Sequence, residues 1–164
     1  MRLIVPTVAE LHASMTRGGD FWRRPDCACE DDALPPVFVL QRAVAFITAQ
    51  PALAPWFAPR LFWEETVHAI VGSGGFKNSP GDMIGVEIGY GIARRHQGRG
   101  YATAAVRLLV ADAFALSPTP LVFATVRPDN LPSLRVLEKC GFTRDGIALD
   151  PEDGLLGRFI YPRS

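Results

Sequence analysis

"GVEIGYGIARRHQGRGYA" (residues 85–102) joins an alternating segment to a basic, glycine-punctuated turn and then to the start of a helix. Side chains of a strand alternate between its faces, so Ile84, Val86, Ile88, Tyr90 and Ile92 form one apolar stripe. The opposite face carries Gly85, Glu87, Gly89 and Gly91, a bare surface with a single carboxylate. Glycine inside a strand weakens it and marks close approach by a ligand or another backbone. After the turn, the first N–H groups of the helix have no partner within it and sit at the positive end of its dipole. Gly98 and Gly100 lack the β-carbons that would hold an anion away from those amides. Arg94, Arg95 and Arg99 add positive charge, and a phosphate-bearing ligand is the expected guest.

Two common phosphate motifs are excluded by the letters. A Walker loop needs Gly, four residues and then Gly-Lys-Ser/Thr, which the chain lacks. A dinucleotide fingerprint anchored on Gly98 and Gly100 needs Gly or Ala where Thr103 stands, and an acid about 20 residues on, where Pro120 stands.

Downstream, "GYATAAVRLLVADAFAL" (100–116) has helical spacing, with Ala102, Ala105, Val106, Leu109, Val110 and Ala113 on one side and Arg107 and Asp112 toward water. "LVFATV" (121–126) reads as a buried parallel strand. "DNLPSLRVLEKCGF" (129–142) reads as a second helix, capped by Asp129 or Asn130 and stopped at Gly141. "DGLLGRFIYP" (153–162) supplies a last strand. Upstream, "RLFWEE" (60–65) and "VHAIVGSGGF" (67–76) read as a strand pair, with His68 a strand residue, and "NSPGD" (78–82) as a turn. In the first 60 residues, "RLIV" reads as an edge strand and Thr7 as the cap of a helix through Met15. Residues 17–36 read as a loop, and "VFVLQRAVAFITAQ" (37–50) as a helix. The order is a helix-poor start, a strand meander, strand–helix–strand–helix and closing strands. It predicts one α/β domain over residues 1–164, a mixed sheet flanked by helices.

Composition narrows the functions. Of 164 residues, 17 are basic and 17 acidic, so the formal net charge of zero gives no electrostatic case for nucleic acid or anionic membrane. No run has the length of a membrane span, and the apolar start stops at Pro6. Three cysteines give no disulfide framework, and the single residue between Cys27 and Cys29 is too few for a usual zinc pair, so no metal is expected. A reducing cytoplasm is the expected compartment.

Gln97-Gly98-Arg99-Gly100-Tyr101-Ala102 resembles the Gln/Arg-x-x-Gly-x-Gly/Ala signature of the GNAT superfamily of acetyl-CoA-dependent N-acetyltransferases. "VRPDNLPSLRVLEKCGF" (126–142) resembles a second motif of the branch containing ribosomal-protein N-terminal acetyltransferases, and the likeness runs over about residues 67–147. It implies a strongly bent sheet whose fourth strand (86–93) and fifth strand (121–126) splay apart. The pantetheine arm of acetyl-CoA lies between them on the backbone near Ile88, Tyr90 and Ile92, with the glycine face as its track. The pyrophosphate lies on the amides of Gln97, Gly98, Arg99, Gly100, Tyr101, Ala102 and Thr103. Asn130 is similar to the family residue that bonds the pantetheine region, a role compatible with a helix cap.

Acetyl transfer needs a neutral amine, although a free amine is mostly protonated at pH 7. It also needs oxyanion donors and a proton for the leaving thiolate. Glu87 resembles the family's catalytic base, acting through a water; its other readings are binding the substrate ammonium or pairing with an arginine. Leu137 stands where many members carry a proton-donating tyrosine. Ser133, three residues after Asn130, is the nearest polar substitute and joins the cofactor contacts. Residues 1–60 are expected to serve the acceptor, with Phe57, Phe62, Trp63 and Phe76 divided between pocket and core. Lys77 has no assigned role. The resemblance implies a small-molecule amine or a peptide or protein N-terminus as acceptor and allows a homodimer; the rival reading is a non-catalytic acyl-CoA sensor on the same scaffold.

Overall fold

β3 (Arg60–Glu64), β4 (Ala69–Phe76) and β5 (Val86–Ile92) form an antiparallel meander at the middle of the sheet. The computed structural model describes residues 1–81 and 84–163, which leaves Asp82 of the 78–82 turn outside the described residues. β1 (Arg2–Ile4) lines the outer edge of β3, and β2 (Ala28–Cys29) runs parallel to Ala69 and Ile70 of β4. On the far side β5 meets β6 (Leu121–Val126) in parallel. β7 (Thr143–Asp150) and β8 (Gly154–Pro162) finish a mixed sheet of eight strands in the order β1-β3-β4-β5-β6-β8-β7, with β2 beside β4.

Hydrophobic periodicity explains the central helices. α5 (Tyr101–Leu116) buries Ala105, Val106, Leu109, Val110 and Ala113 against Val86, Ile88, Val122 and Ala124. α6 (Leu131–Lys139) adds Leu137 to the same core. Each fully buried Leu, Ile or Val stabilises the fold by about 1.5–3 kcal/mol. Asn130 caps α6 by accepting from the Ser133 N–H at 3.2 Å, and Gly141 follows its end with φ +88. On the other side of the sheet, α1 (Val8–Arg17), α3 (Val37–Ala49) and α4 (Ala54–Phe57) enclose Leu11, Leu40, Ala43, Ile47 and Ala58, while Trp22 of α2 (Gly19–Trp22) packs on the cluster of Cys29, Leu34 and Leu61, and Trp56 of α4 joins the main core.

β5 and β6 ladder only at Val86 with Val122 and Glu87 with Phe123. Beyond Glu87 they part, while β5 stays bonded to β4 as far as Ile92. The mixed sheet and its splay therefore match the expected α/β architecture. Counting β2 makes the splaying strands the fifth and sixth of the chain.

Several expectations need correction. The start of the chain is not helix-poor, for it holds α1 to α4, and α1 runs to Arg17. Residues 17–36 are not simply a loop: they contain α2, β2 and a turn of 3₁₀ helix at Asp31–Ala33. Those pieces are too short to show a period and are fixed by side-chain bonds, as when the Gly19 N–H donates to Asp31 Oδ1 at 2.8 Å. Ile84 is 76% exposed and lies before the strand. Gly85 turns the chain there at φ +106, where a β-carbon would strike Leu121. Asp112 pairs with the buried Arg60 instead of facing water. His68 sits in the left-handed turn between β3 and β4, not in a strand. β7 was not delimited by the sequence; its alternation is weak because most of its residues are exposed.

Candidate active site

Along β5 the backbone alternates in direction as the side chains do. The carbonyl of Glu87 accepts from the Lys77 N–H and the Ala93 N–H donates to the Val71 carbonyl, so odd-numbered residues bond β4. The backbone groups of Ile88, Tyr90 and Ile92 face the other way, into the gap where β6 has departed. The Ile92 carbonyl takes the Gln97 amide at 2.9 Å, which braces the following turn. Ile88 and Tyr90 thus present strand donors and acceptors to an amide-bearing ligand in the gap.

The side chains of β5 divide differently. Val86 and Ile88 are buried under α5, with Tyr90 and Ile92 half-buried beside them. Gly89 and Gly91 point to the opposite side, onto the floor of a cavity of about 910 Å³. The bare face is therefore the floor of this cavity and not the surface that looks into the gap. Walls come from Ser14, Arg17 and Asp20 on one side and Leu34, Pro36 and Leu40 on another. Asp31 and Asp32 line it too, as do Phe57, Phe76 and Lys77. Phe62 is wholly buried, as a core residue.

Glu87 stands on the last rung of the β5–β6 ladder, where the gap opens, and on the same face of β5 as Gly89 and Gly91; its side chain is 15% exposed. Its Oε1 accepts from the Thr125 hydroxyl at 2.6 Å and from Lys77 Nζ at 2.7 Å, while its N–H donates to Asn78 Oδ1 at 2.7 Å. The charge partner is thus a lysine, not an arginine. Sequence reasoning left Lys77 unassigned and missed Thr125. Hairpin register could have found Lys77, which faces Glu87 across the β4–β5 connection.

At the far end of β5, Gly98 and Gly100 have φ of +75 and +82, a region that favours glycine. Nothing lies within 4 Å of a β-carbon at either position. The first helical bond of α5 runs from the Ala104 N–H to the Gly100 carbonyl, so the N–H groups of Tyr101, Ala102 and Thr103 precede it. This is an open amide cradle that fits a pyrophosphate, with Arg99 exposed beside it. Arg94 and Arg95 are instead tied to the first half of the chain. The Arg94 N–H donates to Asp32 at 3.0 Å, and Arg95 pairs with Glu30 at 2.5 Å. His96 is buried beneath the cradle, its ring 6.3 Å from that of Tyr101. Burial, helped by Arg95 and Arg99, holds its pKa below the ordinary value.

At the start of α6, Ser133 Oγ lies 2.8 Å from the Tyr90 hydroxyl. Leu137, in the position of the missing tyrosine, is fully buried in the core. The cysteines stay packing residues: burial pushes the Cys29 thiol up to about 12 and raises that of Cys140, whose Sγ donates to the Thr103 carbonyl at 3.5 Å.

A β5–β6 splay with an amide cradle at one end and a carboxylate at its corner is the architecture of an acyl-CoA acyltransferase. Residues 28–143 match the Acetyltransferase (GNAT) domain family, and the chain belongs to that family as an acetyltransferase domain. It is 49% identical over 61 residues to YjcK of Bacillus subtilis strain 168, described as a probable N-acetyltransferase, covering 37% of this chain and 34% of that one. It is 33% identical over 91 residues to p20 of Bacillus licheniformis, described as an uncharacterized N-acetyltransferase, covering 56% of this chain and 51% of that one. The matches thus span about half or less of these relatives. Among solved structures, RimJ of Mycobacterium smegmatis in complex with CoA-disulfide superposes at a TM-score of 0.64 and 20% identity, over 98% of this chain and 80% of that one. A spermidine N-acetyltransferase (SpeG) mutant of Vibrio cholerae does so at 0.67 and 13%, over 98% and 92%. These two similarities establish the shared fold. No helix among the described residues is long and apolar enough to cross a membrane.

Proposed function

We propose that the chain transfers the acetyl group of acetyl-CoA to a primary amine, of a small molecule or a peptide or protein N-terminus, by direct attack in a ternary complex. The observation that carries this reading is the position of Glu87, on the rung where the gap between β5 and β6 opens and bonded to Lys77 of the cavity wall. When bound, acetyl-CoA supplies the activated acetyl group and a thiol leaving group. The amides of Gly98 to Thr103 hold its pyrophosphate, and the backbone of Ile88, Tyr90 and Ile92 with Asn130 holds its arm. N–H groups of β5 in the gap serve as oxyanion donors.

The acceptor enters from the cavity built by the first 60 residues. On its walls Asp20, Asp31 and Asp32 outnumber Arg17 and Lys77, a balance that favours an incoming ammonium. Glu87 takes the proton through a water, its Oε1 held in place by Thr125 and Lys77. Ser133 donates the proton to the departing sulfur. The three cysteines are free thiols, as in the cytoplasm, where we place the activity. Light scattering tests the homodimer.

A thiol-release assay with acetyl-CoA and a panel of amines tests the reading. Turnover of at least one amine is expected, and Glu87→Gln should lower kcat by about 10²–10⁴ with CoA affinity unchanged. CoA binding with no turnover of any amine would instead identify a sensor.

A further inference from the structure

The side chain of Tyr90 has no part in the reading above, which uses only its backbone. It leaves β5 on the α5 side, half-buried, and reaches the first turn of α6. Its hydroxyl is 2.8 Å from Ser133 Oγ and 3.4 Å from the Ser133 carbonyl. The Ser133 N–H is already bonded to Asn130, so Ser133 is gripped on its backbone by the cap and on its hydroxyl by the phenol. Leu137 is sealed in the core, and no proton can come from that position.

We propose that Tyr90 is the positioning residue for Ser133: its phenol donates to Ser133 Oγ, orients the serine O–H into the gap and resupplies its proton. This rests on the acetyl-CoA reading of the gap. As the C–S bond breaks, its electron pair stays on sulfur, which takes the proton of Ser133 Oγ. Ser133 Oγ takes the Tyr90 proton in the same event, and solvent reprotonates the phenolate. A serine hydroxyl alone is a poor acid, and in this pair the developing charge passes to a phenol, whose ordinary pKa of about 10 is far closer to that of a thiol. Burial raises the Tyr90 pKa above that ordinary value, which favours prompt return of the proton to the phenolate after each turnover.

Calorimetry with CoA and with desulfo-CoA tests this without turnover. An oriented Ser133 hydroxyl bonds the sulfur, so the wild-type protein should bind CoA about tenfold more tightly than desulfo-CoA. Ser133→Ala should abolish that preference, and Tyr90→Phe, which keeps the ring and its packing, should cut it to about twofold or less. In the assay, both variants should lose about 10–100-fold in kcat, and the double variant should lose no more than either single one. A full preference retained in Tyr90→Phe, or losses that multiply in the double variant, would overturn the role of Tyr90. Failure of the wild type to bind either ligand would overturn the acetyl-CoA reading itself.

Discussion

Helix α5 and the short helices α2 and α4 pack on one sheet, yet different forces hold them. α5 has 16 residues and buries an apolar side throughout its length. α2 and α4 have four residues each, below the length at which a helix is stable on its own. Polar ties fix them: Gly19 N–H to Asp31, Trp22 Nε1 to Ser14 Oγ at 2.8 Å, and the Arg60 guanidinium to the carbonyls of Pro55 and Ala58, both at 2.5 Å. The β5–α5–β6–α6 half is thus a packed frame, whereas α2 and α4 are short pieces that polar bonds pin between that frame and the longer helices α1 and α3. The wall also touches the turn before the cradle, where Asp32 holds the Arg94 N–H.

Arg60 tests that comparison most severely, because it joins the two halves. It is 2% exposed and bonds Asp112 of α5 through Nε at 2.9 Å. Asp112→Ala leaves this guanidinium buried without its counter-charge and should destabilise the fold by about 3–5 kcal/mol in denaturant unfolding. A loss under about 1 kcal/mol would mean that the halves are not joined here. Asp31→Ala frees only the Gly19 N–H and should cost about 1 kcal/mol, with a raised KM for the amine and an unchanged Kd for CoA. His96 should give the smallest effect. Its folded pKa lies below the ordinary value of about 6.5, so the unfolded chain takes up a proton that the native state refuses. Stability from this group is complete above about pH 7 and is lost as pH falls through 6.5 toward the folded value, with Glu30 and Asp32 moderating the shift. His96→Gln should flatten the corresponding part of a melting-temperature profile between pH 8 and pH 5.

The same division decides what was legible in the sequence. The 3.6-residue spacing of Ala105, Val106, Leu109 and Ala113, the Asn130 cap and the glycines at 98 and 100 are local signals, and the structure uses each in the expected place. α2, β2 and the Asp31 turn depend on partners up to twelve residues away or in another strand, so no window of residues 17–36 announced them. Arg94 and Arg95 looked like ligand arginines beside the glycines, but their partners Asp32 and Glu30 lie more than 60 residues upstream. Alternation separated the two faces of β5 correctly. It could not say which side each face would meet, and Gly89 and Gly91 proved to floor the cavity. Tyr90 with Ser133 and Glu87 with Thr125 are contacts across elements that only the fold brings together.

In the proposed reaction β5 serves two ligands from two directions: its backbone and the following cradle hold acetyl-CoA, and its glycine face receives the acceptor. A calorimetric titration of Gly91→Leu and Gly100→Trp with CoA tests it. A side chain at 91 would enter the cavity floor, and one at 100 would fill the cradle. Gly91→Leu should keep a wild-type Kd, within about twofold, and Gly100→Trp should bind at least about 100-fold more weakly, a difference of roughly 2.7 kcal/mol. Equal affinities in the two variants, or a loss confined to Gly91→Leu, would contradict it.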